Sequence, residues 1–242
     1  DAERVYVFGD RNQLIYDWDP DYPASLDTLC HPEDTFGVGG WEHSTLLQSR
    51  RLPAPVVALV NAAFGTFIEA AGNAEGAVVE VRTPRSMFSL IDTLRDALAG
   101  PDTLLLVDRR RGNHPLRSLL NSLSADGCTV HMHGLDTDPP CEGALTCATY
   151  WSAKGLECDT AVVIVPACAP RNALYVALTR ARRRLIVVLD PRAPHAAVGA
   201  AAWELARAGA VHLADGAARR AVEKASREPG AAGASLQRAE WT

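Results

Sequence analysis

Two uninterrupted apolar runs, Thr160-Ala-Val-Val-Ile-Val165 and Leu185-Ile-Val-Val-Leu189, constrain this chain more than any other feature. Neither alternates apolar with polar residues, so both faces of each run must be covered. Strands of that kind belong to parallel sheets, whose crossover helices cover the two faces. A Pro-containing link and a helix-length segment from Asn172 separate the two runs. The same alternation recurs upstream. Strands are expected over 77–81, 103–107 and 128–133, and helices over 87–99 and 115–123. That spacing argues for βαβ units and an α/β fold, with ligand groups at strand ends.

Length and charge narrow the function. The chain has 242 residues and a net charge of −5. It can hold one large domain, or one and a half smaller ones. It has no global basic signature, so any nucleic-acid contact must come from local clusters. Lys154 and Lys224 are the only lysines, which makes Lys154 notable where it stands. The six cysteines show no C-x-x-C spacing and no zinc pattern, and are read as reduced thiols of a cytoplasmic or nuclear protein. No apolar run approaches a membrane span and no signal peptide is visible, so no membrane partner is expected. The chain starts at Asp1 and almost at once enters the apolar run Val5-Tyr-Val-Phe8, read as a strand; a segment is expected upstream.

Four stretches place polar residues beside these elements. Thr149-Tyr-Trp-Ser-Ala-Lys-Gly-Leu-Glu-Cys158 leads into one apolar strand, and Tyr175-Val-Ala-Leu-Thr-Arg-Ala181 into the other. Gly9-Asp-Arg-Asn-Gln-Leu-Ile-Tyr-Asp-Trp18 follows the first apolar run. Leu46-Leu-Gln-Ser-Arg-Arg-Leu52 precedes a helix that has prolines in its first turn and runs past Asn61 to Phe64. These resemble, respectively, motifs V, VI, III and IV of the UvrD/Rep-like superfamily 1 helicases. The resemblance spans roughly residues 4 to 190 and is dense only in the four motifs.

What the resemblance implies can be carried over residue by residue. The fold would be a RecA-like parallel sheet flanked by helices, the second helicase lobe without its own phosphate loop. Residues 1–45 would end the first lobe, 46–190 would form the second, and 191–242 would be an Ala-rich helical or disordered tail. ATP and Mg would be the cofactors, with the Mg ligands on the missing upstream lobe. Arg51 and Arg180 would stabilise charge on the transferred phosphoryl group, a task that suits a permanently cationic planar fork. Gln13 would sense the γ-phosphate or position water. Arg50, Gly155 and Glu157 would contact the nucleotide, Glu157 through the ribose. Tyr16, Trp18, Thr149 and Trp151 would contact single-stranded nucleic acid, with DNA favoured over RNA and RNA left open, and with aromatic faces stacking on bases.

Some positions depart from the pattern. Arg50 stands where an aromatic usually stacks on adenine, Trp151 replaces a histidine, Asp19 stands where a basic residue often follows the tryptophan, and Cys158 replaces a phenylalanine. Arg109-Arg-Arg111 is either a solvated loop or a backbone contact. No G-x-x-x-x-G-K-[ST] phosphate loop occurs in the chain, and no strand ends in an Asp-Glu pair. The expected function is therefore the carboxy-terminal portion of an ATP-dependent helicase or translocase, inactive in hydrolysis without its first lobe. The alternative is an ATP-independent remnant that binds nucleic acid or a partner.

Overall fold

The computed structural model describes residues 5–15, 30–72, 75–85, 90–98, 100, 102–108, 114–136, 138–139, 141 and 143–228. It divides into two units, 1–46 and 47–242. In the first, a 3-10 turn spans Arg11–Gln13 and helix α1 spans Pro32–Phe36. Asp10 organises the turn: its carboxylate accepts from the Asn12 amide at 2.9 Å and from the Gln13 side-chain amide at 2.8 Å. The strand expected over Val5–Phe8 does not form. Those residues are irregular, with Tyr6 68% and Phe8 80% exposed. An apolar run becomes a strand only where a neighbour completes its ladder, and no described residue pairs with this one.

The second unit is built on one parallel sheet. Two-residue strands β1 (Gln48–Ser49) and β2 (Glu69–Ala70) pair with each other beside helix α2 (Ala54–Phe64). The main sheet then follows: β3 (Val78–Arg82), helix α3 (Leu90–Leu98), β4 (Thr103–Val107), helix α4 (His114–Ala125), β5 (Val130–Met132), β6 (Leu145–Thr149) and β7 (Cys158–Val165). Helix α5 (Arg171–Leu178), β8 (Ala181–Leu189), helix α6 (Ala196–Arg207), β9 (His212–Leu213) and helix α7 (Gly216–Ser226) complete it. The seven strands stand in the order β5-β6-β4-β7-β8-β3-β9, every pair parallel. This is the expected fold class.

Handedness distributes the helices. The connections through α3 and α4 move along the sheet towards β5, and those through α5 and α6 move towards β9. Right-handed crossovers running in opposite directions must lie on opposite faces. Packing agrees: Leu94 and Leu98 of α3 and Leu119 of α4 share one core with Leu105, Val107, Val162, Ile164, Ile186 and Val188. The alternate strand residues Leu104, Leu106, Val163, Leu185 and Val187 are equally buried and face the other layer. Burial on both sides is why the runs through β4, β7 and β8 are continuous rather than alternating.

One strand of the sheet is absent from the sequence pattern. β6 was hidden in the sequence because Thr, Cys and Ala make it short and weakly apolar, yet it lies between β5 and β4 and carries Thr149 at its end. The Ala-rich stretch after residue 190 forms α6 and α7, with β9 between them extending the sheet beyond β3. Residues 229–242, like Arg109–Arg111, lie outside the described residues.

Gly199 sets the approach of α6 to α7. A Cβ built there would meet the Ala225 Cβ at 2.4 Å, closer than real carbons come. Gly199→Ala gains about 1 kcal/mol of helix propensity, but forces apart helices that overpacking penalises by about 1–3 kcal/mol. The expected outcome is a net loss of about 1 kcal/mol, the difference of those effects, in a urea melt. The pair Gly199→Ala with Ala225→Gly should recover it, a non-additivity expected of touching residues.

Candidate nucleotide site

Three distant segments meet at the amino-terminal ends of β7 and β8. Arg51 comes from the turn before α2, Glu157 from the residue before β7, and Arg180 from the residue before β8. Arg51 Nε lies 3.3 Å from the Glu157 carboxylate, and Arg51 Nη1 donates to the Thr179 carbonyl. Arg180 lies beneath them, only 3% exposed. Its Nε donates to the Val176 carbonyl at 2.8 Å, its Nη1 to the Leu156 carbonyl at 3.1 Å and its Nη2 to Thr179 Oγ1 at 3.0 Å. The Cys158 amide donates back to the Arg180 carbonyl at 3.2 Å. Glu157 is thus bracketed by two bonds to one residue, through Leu156 on one side and Cys158 on the other.

Arg180 is turned inward, under Arg51. Burial and the adjacent Arg51 charge push its guanidinium down to about 10, with Glu157 opposing the shift. It stays cationic at neutral pH. Burial, aided by Asp102, pushes the neighbouring Cys158 thiol up to about 12, so it packs as a neutral side chain. Arg51 is the more accessible cation, its side chain 28% exposed and Glu157's 44%. Among the described residues of this cluster, two guanidiniums face one carboxylate, an excess of one positive charge.

The remaining expected residues fall elsewhere. Gly155 closes the turn before Glu157 with φ +88°, a conformation that glycine enters without penalty. Arg50 is exposed beside Arg51, and its carbonyl lies 2.5 Å from where a Gly72 Cβ would sit. Thr149 ends β6, in register with Val107 and through it with Ile164. Cys158 lies six residues before Ile164 on β7, about 20 Å along a strand. Thr149 and Glu157 therefore occupy opposite ends of the sheet. Thr149 Oγ1 bonds Ser152 Oγ at 3.0 Å and accepts from the Ser152 amide at 3.1 Å, tying the turn that follows. Tyr150 is buried and donates to the Ile164 carbonyl at 2.6 Å, while half-buried Trp151 stacks beside it with ring centroids 6.3 Å apart. Gln13 belongs to the other unit, and Tyr16 and Trp18 lie outside the described residues. Sequence reasoning did not name Thr179 or the Leu156 carbonyl, which hold the arginines; a backbone acceptor leaves no signal in residue type.

Residues 144–188 match the UvrD-like helicase C-terminal domain family. The matched stretch contains Thr149, Glu157 and Arg180, so the UvrD-like resemblance drawn from the last two motifs holds there. The crystal structure of the C-terminal domain of a possible DNA helicase from Lactobacillus plantarun WCFS1 is similar at 20% identity and a TM-score of 0.47, covering 69% of this chain and 99% of that one. No curated protein matches the sequence. Among the described residues no helix is long and apolar enough to cross a membrane.

The charge arrangement in the UvrD-like segment can be tested directly. Glu157→Gln removes the carboxylate that offsets both arginines. Because Glu157 is partly solvated, the expected loss is about 0.5–1 kcal/mol in a urea melt at low salt. Half-molar salt should shrink it by screening. A gain in stability would show that Glu157 does not balance Arg51 and Arg180.

Proposed function

We propose that this chain is the carboxy-terminal portion of an ATP-dependent superfamily 1 helicase or translocase acting on single-stranded DNA. The observation that carries the reading is the convergence of Arg51, Glu157 and Arg180 from three separate motifs into one cluster with excess positive charge. An excess cation at the end of a parallel sheet suits a polyanion. The donor set fits the phosphates of ATP. Arg51 would exchange Glu157 for phosphate oxygens, freeing that carboxylate for the ribose. Arg180 would support the charge that develops at the γ-phosphate, with Arg50 and Gly155 flanking the nucleotide. The phosphate loop and Mg ligands would come from the other lobe. ATP supplies the phosphoryl group whose transfer to water drives the motor.

At the other end of the sheet, Thr149 and Trp151 would hold the strand through backbone and stacking contacts. Binding should be weak and sequence-tolerant, because half the track belongs to the other lobe. Anisotropy of a labelled oligothymidylate should show affinity falling steadily between 50 and 200 mM salt, as counterion release requires (~10³-fold for six contacts). No binding at low salt would count against these contacts.

One observation favours the alternative, an ATP-independent remnant: the inward Arg180, whose bonds to carbonyls would suit a structural role. Kinetics separates the two. The chain alone should not hydrolyse ATP. In the two-lobed protein with saturating single strand, Arg51→Ala and Arg180→Ala should each cut turnover by on the order of 10³, with smaller changes in nucleotide affinity. Arg180→Lys should not rescue fully, since a point charge lacks the planar fork. Arg183→Ala should be mild. Near-normal turnover in folded Arg180→Ala, or equal damage from Arg183→Ala, would remove Arg180 from the catalytic role.

A further inference from the structure

β8 does not pair evenly with β7. Cys158 lies opposite Ala181 and Thr160 opposite Arg184, so Asp159 alone faces both Arg182 and Arg183. This is a β-bulge, a device that re-aims neighbouring side chains and is frequent beside functional sites. It begins two residues after Arg180 and two after Glu157.

An aspartate just ahead of a third strand holds it. Asp102, just before β4, is the only non-glycine residue with positive φ among the described residues, at 49°. Aspartate tolerates that left-handed conformation better than most residues. So held, its carbonyl accepts from the Thr160 amide at 3.2 Å and its carboxylate from the Asp159 amide at 2.8 Å. The same carboxylate oxygen accepts from Arg182 Nη2 at 2.8 Å, and that nitrogen stands 3.1 Å from the Asp159 carboxylate. Arg182 therefore bridges two acidic residues across three strands.

We infer that Asp102, Asp159 and Arg182 form a clamp on this bulge, and that Asp102 and Arg182 are positioning residues for Glu157 and Arg180. The inference rests on the nucleotide-site reading above for the purpose of the clamp, but not for its existence. The chain of ties is continuous. Asp102 fixes Asp159 and Thr160, the Cys158 amide holds the Arg180 carbonyl, and Arg180 Nη1 holds Leu156 on the far side of Glu157. Releasing the bulge lets β8 slip against β7 at the point where Arg180 leaves the ladder. Arg182 is itself solvated, its side chain 46% exposed, so water and salt screen its pairs. Its removal should change local order far more than global stability.

Hydrogen exchange followed by nuclear magnetic resonance on this chain tests the clamp without nucleotide. In Arg182→Ala the Cys158 amide and the Arg180 Nε–H should exchange roughly tenfold faster, as a locally opened segment does. The amides of Val162 and Val187, deep in the same strands, should keep their rates. Arg182→Lys should restore most of the protection, because an ammonium can reach both carboxylates. Asp102→Asn, which keeps the backbone conformation and one acceptor, should fall between. Unchanged exchange at Cys158 and Arg180 would overturn the clamp. An equal rise at Val162 and Val187 would also overturn it, by showing general loosening instead. Absence of ATP turnover in the two-lobed protein would sink the functional reading and leave the exchange result standing.

Discussion

The candidate site depends on one buried guanidinium. Arg180 reaches a carbonyl of helix α5, a carbonyl of the turn before β7 and the Thr179 hydroxyl, and it receives the Cys158 amide on its own carbonyl. Helix, turn and two strand ends are thereby fixed to each other at a single residue. Of the five N–H groups on a guanidinium, three are used in these bonds. A lysine, with one point charge on a flexible stem, could not satisfy three separate acceptors in fixed directions. Geometry and charge both follow. The carbonyls orient Arg180 without neutralising it, so its charge is felt by Arg51 above it and balanced only in part by Glu157.

A second buried arginine shows what a neutralised one looks like. Arg82 at the end of β3 is 8% exposed and bonds Glu80 at 2.8 Å and Asp96 at 2.6 Å, while Arg184 adds a bond to Glu80 at 2.9 Å. Two cations meet two carboxylates. Burial alone would raise the Glu80 carboxyl, but bonds and charge from Arg82 and Arg184 outweigh it and hold it low. The Arg82 bond holds Asp96 down to about 2, against an ordinary value of 3.8. For a carboxyl lowered on folding, the stabilisation is full above its unfolded value and is lost as pH falls from about 4 through 2. This network ties β3 to β8 and α3 and keeps no charge in reserve. The contrast with the Arg51 and Arg180 cluster is the physical ground for reading one as scaffold and the other as site.

Sequence carried much of the architecture, for identifiable reasons. The runs through β4, β7 and β8 are continuous because both faces are covered, and that pattern survives in any reading of residue types. β6 leaves little trace because its residues are small, and Val5–Phe8 reads as a strand but is not one, because an apolar run does not announce whether a partner strand exists. Arg51, Glu157 and Arg180 were named from their motifs, but their convergence was not legible; the bonds that join them connect residues 24 and 128 positions apart. Arg182 is solvated by exposure, its side chain 46% exposed. Its relation to Asp102, 80 residues earlier, exists only once β4, β7 and β8 lie side by side.

The sheet also separates the two halves of the proposed chemistry and joins them by a short path. Thr149 lies at the carboxyl end of β6, and Glu157 immediately precedes the amino end of β7, two places along the sheet order. The connecting residues return across the sheet without a helix, pinned by Tyr150 to the Ile164 carbonyl at one end and by Leu156 to Arg180 at the other. A helix could absorb a shift at one end by bending; a pinned eight-residue link has little slack. On the proposed reading, an exchange of Arg51 from Glu157 to a phosphate releases the residue at one end of this link, and the Thr149 turn stands at the other. Coupling between nucleotide and strand then needs no long-range pathway, only one segment fixed at both ends and a guanidinium with two alternative partners.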